Sequence, residues 1–310
     1  MGRDFKVIEA DNIPAPLRAD IFLSRKLNES RRTVQKMLEN GAFVKNGKSL
    51  KKGDLIVKGD KIEFTGSIKQ KSLIPAYDLN IPLIYEDENL IVLDKPSGIP
   101  VQPLTPSETG TAANWIIAHY PELEGVGFSL LEPGILHRLD IDTSGVLLIA
   151  RNNEIFQEIR KEFSDRKIKK SYLAVVEGIF NREGWCREPL YHKTKSKMWV
   201  FGEGIKAKRV FEAESHFKLI EVKNNRSLIE VEITTGVMHQ IRVHLAYLGF
   251  PVLGDALYGL RREDETKRAL LHCFKIGFYH PVQKKFVEFK AEPPRQFKSC
   301  FSLGKCAATV

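Results

Sequence analysis

The spacing of apolar residues over positions 17–66 predicts a small unit of two helices followed by a sheet. Apolar residues recur at helical intervals in its first half, which indicates two short amphipathic helices. Ser30 is suited to cap the second helix and Gly41 to end it. The dipeptide Asn46-Gly47 then predicts a tight hairpin, because both residues tolerate positive φ. We therefore expect a compact α/β domain over these residues.

The rest of the chain mixes strand and helix patterns without a regular βαβ rhythm. Residues 67–80 have the composition of a linker, and a second domain is predicted over residues 81–298. Its predicted strands are 88–94, 145–150, 172–176, 208–220 and 227–234, and its predicted helices are 111–119, 154–163 and 238–248. This order favours an α+β fold, for which we expect a mixed, largely antiparallel sheet with a central cleft.

The positive charge of the chain is concentrated at its start. Residues 1–75 carry 16 Lys and Arg against 9 Asp and Glu, a formal charge of +7, whereas the other 235 residues, with 32 against 30, carry +2. A small basic module ahead of a nearly neutral body suggests an arm that binds a polyanion, usually nucleic acid. On charge alone, a solvated lysine-rich surface is an equally good interpretation.

Cysteine usage and hydropathy predict a cytoplasmic protein that does not enter a membrane. The four cysteines form no Cys-x-x-Cys pair and no dense disulfide pattern, so we expect reduced thiols. The first residues lack the apolar stretch of a signal peptide. The longest apolar runs are far shorter than the roughly 18 residues of a membrane span.

The pattern of histidines and glycines predicts neither a metal nor a cofactor. His239 and His244 are five positions apart, and no acidic residue lies between them, unlike the His-Glu-x-x-His arrangement of zinc enzymes. No glycine-rich phosphate loop or dinucleotide fingerprint follows a predicted strand.

Three segments carry residues suited to chemistry. In the first, residues 133–145, Asp140 stands between a basic pair and a Thr-Ser-Gly turn at the entrance to a predicted strand. The second places Tyr172 on a strand, and the third places His239 and Arg242 three residues apart on a predicted helix. Taken singly, each also fits an ordinary role, as a turn carboxylate, a core aromatic or a surface helix face.

Together these segments resemble the RluA-type pseudouridine synthases, whose signature His-Arg-Leu-Asp-x-x-Thr-Ser-Gly is met in full at residues 137–145. The resemblance covers about residues 80–295. It implies that Asp140 is the catalytic carboxylate, Tyr172 faces the target base and Arg242 pairs with Asp140. It also implies RNA contacts for Arg138, which would fill the space left by the target base, and for His137, His239 and Gln240.

Glu132 and Ile141 stand where this family frequently has an arginine and a lysine. The clearest departure from the resemblance is Val237, which stands where the family commonly has an arginine after glycine. The departure puts an RNA contact or the local packing in question.

The basic N-terminal domain resembles the RNA-binding domain named after ribosomal protein S-four. The matching positions include Asp20, the pair Ser30-Arg31, Gln35 and the Asn46-Gly47 turn. The resemblance implies a groove that grips structured RNA through its phosphates and shape. Its predicted RNA-binding residues are Arg18, Ser30, Arg31, Arg32, Lys36 and Asn46.

The sequence therefore predicts an enzyme that isomerises specific uridines to pseudouridine in structured RNA, most often ribosomal RNA for relatives that carry this N-terminal domain. RNA is the expected partner, and no obligatory protein partner is indicated. Two alternatives stay open: a transfer RNA pseudouridine synthase, and a non-catalytic RNA-binding or ribosome-assembly protein on the same fold.

Overall fold

The chain divides into two compact units, residues 1–70 and residues 71–310, in a computed structural model. The structure describes residues 7–11, 13–27, 29–65, 72–259 and 268–302. In the described part of the chain, no helix is long and apolar enough to cross a membrane.

The N-terminal unit packs two short helices against small sheets. Its elements are β1 Val7–Glu9, β2 Leu17–Arg18, α1 Ala19–Leu27, α2 Arg31–Glu39, β3 Phe43–Lys45, β4 Lys48–Ser49, β5 Leu55–Ile56 and β6 Lys61–Phe64. One sheet has the order β1-β6-β3-β4, and β2 pairs with β5. The predicted hairpin is confirmed, since Asn46 and Gly47 have φ of 52° and 73° between β3 and β4. The unit begins earlier than predicted, because β1 pairs with β6 although it precedes residue 17.

The C-terminal unit is built around one large sheet. Its strands are β7 Leu83–Glu86, β8 Leu90–Lys95, β9 Ser144–Ala150, β10 Lys169–Glu177, β11 Gly184–Cys186, β12 Leu190–His192, β13 Met198–Val200, β14 Val210–Phe211, β15 Ser215–Lys223, β16 Arg226–Ile233, β17 Leu271–Tyr279 and β18 Phe286–Lys290. Its helices are α3 Ala112–His119, α4 Asn153–Ser164, α5 Gln240–Tyr247 and α6 Arg295–Ser302, with a short 3-10 turn at Pro121–Leu123.

The large sheet has the order β11-β15-β16-β10-β17-β9-β8-β7, and β18 pairs with β17. Its pairings are antiparallel except where β17 runs parallel to β9. The strands β12, β13 and β14 form a separate small sheet. The α+β prediction with a largely antiparallel sheet is confirmed.

Further boundaries differ from the sequence predictions. The C-terminal unit begins within the predicted linker. Leu73 packs in the core of this unit, and the side chain of Asn114 donates to the carbonyl of Ile74. The strand predicted at 208–220 is interrupted, so that β14 joins the small sheet and β15 the large one. The last predicted helix starts at Gln240, two residues later than expected.

Candidate active site

A tight turn at the start of the buried strand β9 carries Asp140. The N–H of Thr143 donates to the carbonyl of Asp140 at 3.1 Å, which closes a four-residue turn. Inside it, the carbonyl of Ile141 accepts from the N–H of Gly98 at 2.8 Å and from the ammonium of Lys95 at 3.2 Å. The Asp140 side chain stays 26% exposed. The turn therefore presents the Asp140 carboxylate to solvent from a fixed backbone.

Lys95 is fully buried beneath this turn. Its ammonium also donates to the carbonyls of Pro96 and Ile99, both at 2.8 Å. Burial lowers the pKa of Lys95 to about 7, although the negative charge of Asp140 acts in the opposite direction. The lysine thus holds the turn through backbone oxygens rather than through a carboxylate.

The backbone after the turn is pressed directly against β17. Gly145 pairs with Cys273 in the parallel register, and a Cβ at Gly145 would lie 2.2 Å from the carbonyl oxygen of Cys273. The φ of Gly145 is +113°, a conformation that other residues rarely adopt. The hydroxyl of Ser144 also lies 2.9 Å from Nδ1 of His272 on β17. Contact with β17 therefore sets the position at which the Asp140 turn enters the sheet.

Arg242 on α5 joins two carboxylates. Its Nη1 donates to Oδ2 of Asp140 at 2.8 Å. Its Nε and Nη2 donate to the two oxygens of Asp255, at 2.7 and 2.8 Å. The Arg242 and Asp255 side chains are 6% and 0% exposed, whereas Asp140 opens to solvent. The pairing predicted for Arg242 and Asp140 is present, together with a third member that the sequence reasoning did not assign.

This arrangement keeps both buried partners charged. Burial opposes ionisation of Asp255, but hydrogen bonds and the charge of Arg242 lower its pKa overall. Burial likewise opposes the Arg242 cation, and the hydrogen bonds and charges of Asp255 and Asp140 raise the pKa of Arg242 overall. A permanently charged guanidinium is therefore fixed beside the exposed carboxylate.

His239 stands immediately before α5 and faces the same carboxylate. Its φ is +56°, in the left-handed region, so it lies outside the helix on which it was predicted. Its Nε2 is 3.9 Å from Oδ2 of Asp140, and its Nδ1 is 2.9 Å from the hydroxyl of Tyr258. Burial lowers the pKa of His239. The negative charge of Asp140 opposes this shift, and the positive charge of Arg242 reinforces it. The imidazole therefore favours its neutral form.

Tyr172 lies on the central strand β10 with its side chain 7% exposed. It is paired across the sheet with Cys273, and the two side chains share a hydrogen bond. Burial, this contact and the charge of Asp140 raise the pKa of Tyr172 well above its usual value, and burial raises that of Cys273 to about 12. Tyr172 therefore supplies a protonated phenol beside the Asp140 site.

Gln240 occupies a position that favours a structural role over the predicted RNA contact. It is 3% exposed. Its Oε1 accepts from the hydroxyl of Thr235 and the N–H of Val237, and its Nε2 donates to the carbonyl of Glu214 and the hydroxyl of Ser215. All its polar groups are thus engaged within the protein, where they tie α5 to strand β15.

His137 also sits in an internal environment. Its Nε2 accepts from the N–H of Leu148 at 3.1 Å, and its ring lies 5.5 Å from that of Phe163. Burial, with the nearby cations Lys170 and Arg160, lowers its pKa to about 3. Because its imidazole is neutral and hydrogen-bonded within the protein, His137 is better suited to supporting β9 than to the predicted RNA contact. The neighbouring Arg138 is exposed, as an RNA-contacting side chain must be.

Val237 has a packing explanation. Its side chain contacts an apolar cluster that contains Leu190, Met198, Ala213 and Val243, between α5 and the small sheet. An apolar residue is therefore compatible with this position, where the sequence comparison led us to expect an arginine.

In the N-terminal unit, the predicted RNA-binding arginines converge on a buried carboxylate. Asp20 accepts from Arg18 at 3.1 Å, from Arg31 at 2.9 Å and from Gln35 at 2.7 Å. Burial opposes its ionisation, but these hydrogen bonds lower the pKa of Asp20 to about 2. The arginine side chains remain 48% and 53% exposed, so each guanidinium keeps a face in solvent.

The other predicted residues of this unit lie on its surface. Arg32 and Lys36 are exposed on α2, and Asn46 is exposed at the hairpin turn. Ser30 is engaged locally, because its hydroxyl accepts from the N–H of Thr33 at 3.1 Å and caps α2.

Asp255 and Tyr258 belong to the site although the sequence reasoning gave them no role. Their segment, Gly254-Asp255-Ala256-Leu257-Tyr258-Gly259, has the composition of a turn. No group of three or more His, Cys, Asp or Glu among the described residues is arranged to hold a metal ion.

Comparison with known proteins agrees with this geometry. The sequence profile of a family described as RNA pseudouridylate synthase matches residues 89–247. An uncharacterized RNA pseudouridine synthase of Bacillus subtilis is 34% identical over 89% of this chain and 90% of its own. The ribosomal large subunit pseudouridine synthase D of Borreliella burgdorferi is 34% identical over 91% of this chain and 87% of its own.

Among solved structures, human RNA pseudouridylate synthase domain containing 1 superimposes with a TM-score of 0.59 at 23% identity. The match covers 74% of this chain and 91% of the human chain. This likeness shows a shared fold.

Proposed function

The chain belongs to the RNA pseudouridylate synthase family, and from that premise we propose that it isomerises uridine to pseudouridine in ribosomal RNA with Asp140 as the catalytic carboxylate. The enzyme is an RNA pseudouridine synthase, an isomerase, and RNA is its substrate. The observation that supports the assignment of Asp140 is the ion pair at 2.8 Å, in which an immobilised guanidinium holds a carboxylate that stays open to solvent.

The reaction requires a group that acts on the nucleoside and then leaves it. The bond between N1 of uracil and C1′ of ribose breaks, the base turns, and a bond between C5 and C1′ forms. C5 loses its hydrogen as a proton and N1 gains one, so atoms and electrons balance without an oxidant or another cofactor. An ionised Asp140 can attack the sugar or the pyrimidine ring in such a sequence.

The neighbouring residues suit the supporting roles. Arg242 fixes the position of the carboxylate by a charge-assisted hydrogen bond. Tyr172 supplies a ring for stacking on the base and a hydroxyl that keeps its proton. The target uridine must leave the RNA stack to reach Asp140, and the exposed Arg138 is our candidate for the space that it vacates.

Ribosomal RNA is the substrate that we favour. Two relatives that cover most of the chain, from Borreliella burgdorferi and Zymomonas mobilis, carry the name ribosomal large subunit pseudouridine synthase D. The N-terminal unit adds exposed cations suited to the phosphates of a structured RNA. We also place the activity in the cytoplasm, where the buried and unpaired Cys186 and Cys273 would stay reduced.

The test uses large-subunit ribosomal RNA labelled with tritium at C5 of uridine, because product formation releases that hydrogen to water. We expect release by the wild-type protein and none by Asp140→Asn, which should still bind the RNA. Asp142→Asn is the matched control, since it removes a carboxylate from the same turn, and it should retain activity. Normal turnover by Asp140→Asn would refute the assignment of Asp140.

The same assay separates the alternatives. Release from transfer RNA but not from ribosomal RNA would overturn the proposed substrate. No release from either RNA, with binding retained, would indicate a non-catalytic RNA-binding protein. Pseudouridine mapping in cells that lack the protein identifies the modified position.

A further inference from the structure

We propose that Asp255 and Tyr258, which share one turn, are positioning residues for the reaction: Asp255 orients the guanidinium of Arg242, and Tyr258 orients the imidazole of His239, both toward Asp140. The inference rests on the proposed function of Asp140. It adds a second layer of residues that touch no substrate but determine where the groups around the carboxylate stand.

The hydrogen bonds of Arg242 show how Asp255 would act. A guanidinium is planar and has five N–H donors in a fixed fork. Asp255 takes the Nε and Nη2 edge in a bidentate pair at 2.7 and 2.8 Å. This fixes the plane of the group, so that Nη1 is directed at Oδ2 of Asp140. Without Asp255, the guanidinium could rotate and offer Asp140 a different edge.

Asp255 is itself held by the backbone. Its Oδ1 accepts from the N–H groups of Leu257 at 2.9 Å and Tyr258 at 3.1 Å. The N–H of Gly259 donates to the carbonyl of Asp255, and a Cβ at Gly259 would lie 2.6 Å from that oxygen. A fully buried carboxylate with this many donors has a single available orientation.

The turn is also attached to the strand that carries Tyr172. The N–H of Leu253 donates to the carbonyl of Val175 on β10 at 2.8 Å, and Val252 forms a bridge with Val176. Asp255 therefore fixes the position of Arg242 relative to β10. One short segment thus connects the arginine and tyrosine sides of the site.

Tyr258 contacts His239, the other residue beside Asp140. Its hydroxyl lies 2.9 Å from Nδ1 of His239 and accepts from the N–H of Met198 on β13, also at 2.9 Å. The backbone of His239 has the uncommon φ of +56°, and the hydroxyl contact keeps Nε2 directed toward Asp140. When Tyr258 donates to Nδ1, the proton of a neutral His239 resides on Nε2, on the side of the carboxylate.

Stabilisation of the fold is a poor explanation for this arrangement. A buried ion pair often contributes no more to stability than well-packed apolar residues of similar volume. Here the pair ends on a partly exposed carboxylate at a strand entrance, which is where accurate placement affects a reaction. An error of about 1 Å in such a group can lower turnover about 100-fold.

The test compares Asp255→Asn with Asp87→Asn, a matched control. Asp87 also accepts several hydrogen bonds, from Tyr85, Asn89 and Leu90, but none of these partners belongs to the Asp140 site. With tritiated large-subunit ribosomal RNA, we expect Asp255→Asn to lower kcat about 100-fold with unchanged KM and RNA affinity. Asp87→Asn should keep the wild-type kcat. Equal kcat values for the two variants would refute the role of Asp255.

Tyr258→Phe provides a milder variant, because it removes one hydroxyl and keeps the ring. We expect a lower kcat, an unchanged KM and a shifted pH profile, since His239 loses its partner on Nδ1. A wild-type kcat and pH profile would refute the role of Tyr258. This variant also serves if Asp255→Asn fails to fold.

A crystal structure of Asp255→Asn, or of Asp255→Ala if the first does not crystallise, tests the inference independently of activity. We expect Nη1 of Arg242 to leave Oδ2 of Asp140; an unchanged 2.8 Å contact would overturn the inference. Inactivity of the wild type on every RNA would count against the proposed function, whereas the arginine geometry would still decide the role of Asp255.

Discussion

Replacing Arg242 with methionine should turn Asp255 into an unpaired charge inside the C-terminal unit. Asp255 is 0% exposed, and Arg242 supplies two of the four donors that its carboxylate receives. Removal of one partner from a buried ion pair costs about 3–5 kcal/mol, because the remaining charge stays desolvated. We expect the free energy of unfolding of the C-terminal unit to fall by about this amount near neutral pH.

The loss should depend on pH with a definite sign. In the wild type, the pKa of Asp255 is lowered below its ordinary value of 3.8. Its contribution to stability is therefore present above pH 3.8 and is lost as the pH falls through the lowered folded pKa. Arg242→Met removes the cation that opposes the effect of burial, so burial raises the pKa of Asp255. The variant then regains stability as the carboxylate takes up a proton, so the difference from wild type narrows in acid.

Tryptophan fluorescence during urea unfolding measures this effect selectively. The three tryptophans, Trp115, Trp185 and Trp199, all lie in the C-terminal unit, so the signal is independent of the N-terminal unit. The double variant Arg242→Met/Asp255→Asn should recover most of the loss, because it removes the buried charge. A loss below about 1 kcal/mol in Arg242→Met, an equal loss at about pH 7.5 and pH 5.5, or no recovery in the double variant would show that Asp255 does not become an unpaired buried charge.

Three further results are expected. Gly145→Ala should lower the free energy of unfolding of the C-terminal unit by about 3 kcal/mol or more, measured in urea, because its Cβ would lie 2.2 Å from the carbonyl oxygen of Cys273 at a φ of +113°; an unchanged urea midpoint would contradict the close approach. Asp20→Asn should weaken RNA binding in a filter assay by releasing two oriented arginines, whereas charge alone predicts tighter binding. Arg32→Gln should reduce the slope of log affinity against log salt by about 0.7–0.9; an equal slope would mean that this side chain contacts no phosphate.

The sequence was informative where the residue types in a short motif carry the meaning, either directly or through the family that the motif resembles. The Asn46-Gly47 hairpin followed from the φ that both residues tolerate, and the structure has it. The pairing of Arg242 with Asp140 came from family resemblance, since their separation of 102 residues gives no local signal. These features are specified by residue identity, which a sequence displays directly.

Other features depend on tertiary packing and were missed for that reason. No strand was predicted for β17, because it is buried on both faces and lacks the alternation that identifies a half-exposed strand. Gln240 resembled a contact residue because its burial is invisible in the motif. Asp255 resembled a turn residue, since its partner on α5 is not apparent from a Gly-Asp pair.

The position of β17 has a consequence for how the protein is made. This strand lies between β9, which follows the Asp140 turn, and β10, which carries Tyr172, yet it is synthesised about a hundred residues after them. Until residues 271–279 emerge from the ribosome, the two halves of the site end in unpaired strand edges that invite association with other chains. A nascent chain that stops before β17 would therefore contain Asp140, Tyr172 and Arg242 and still be an inactive, aggregation-prone intermediate.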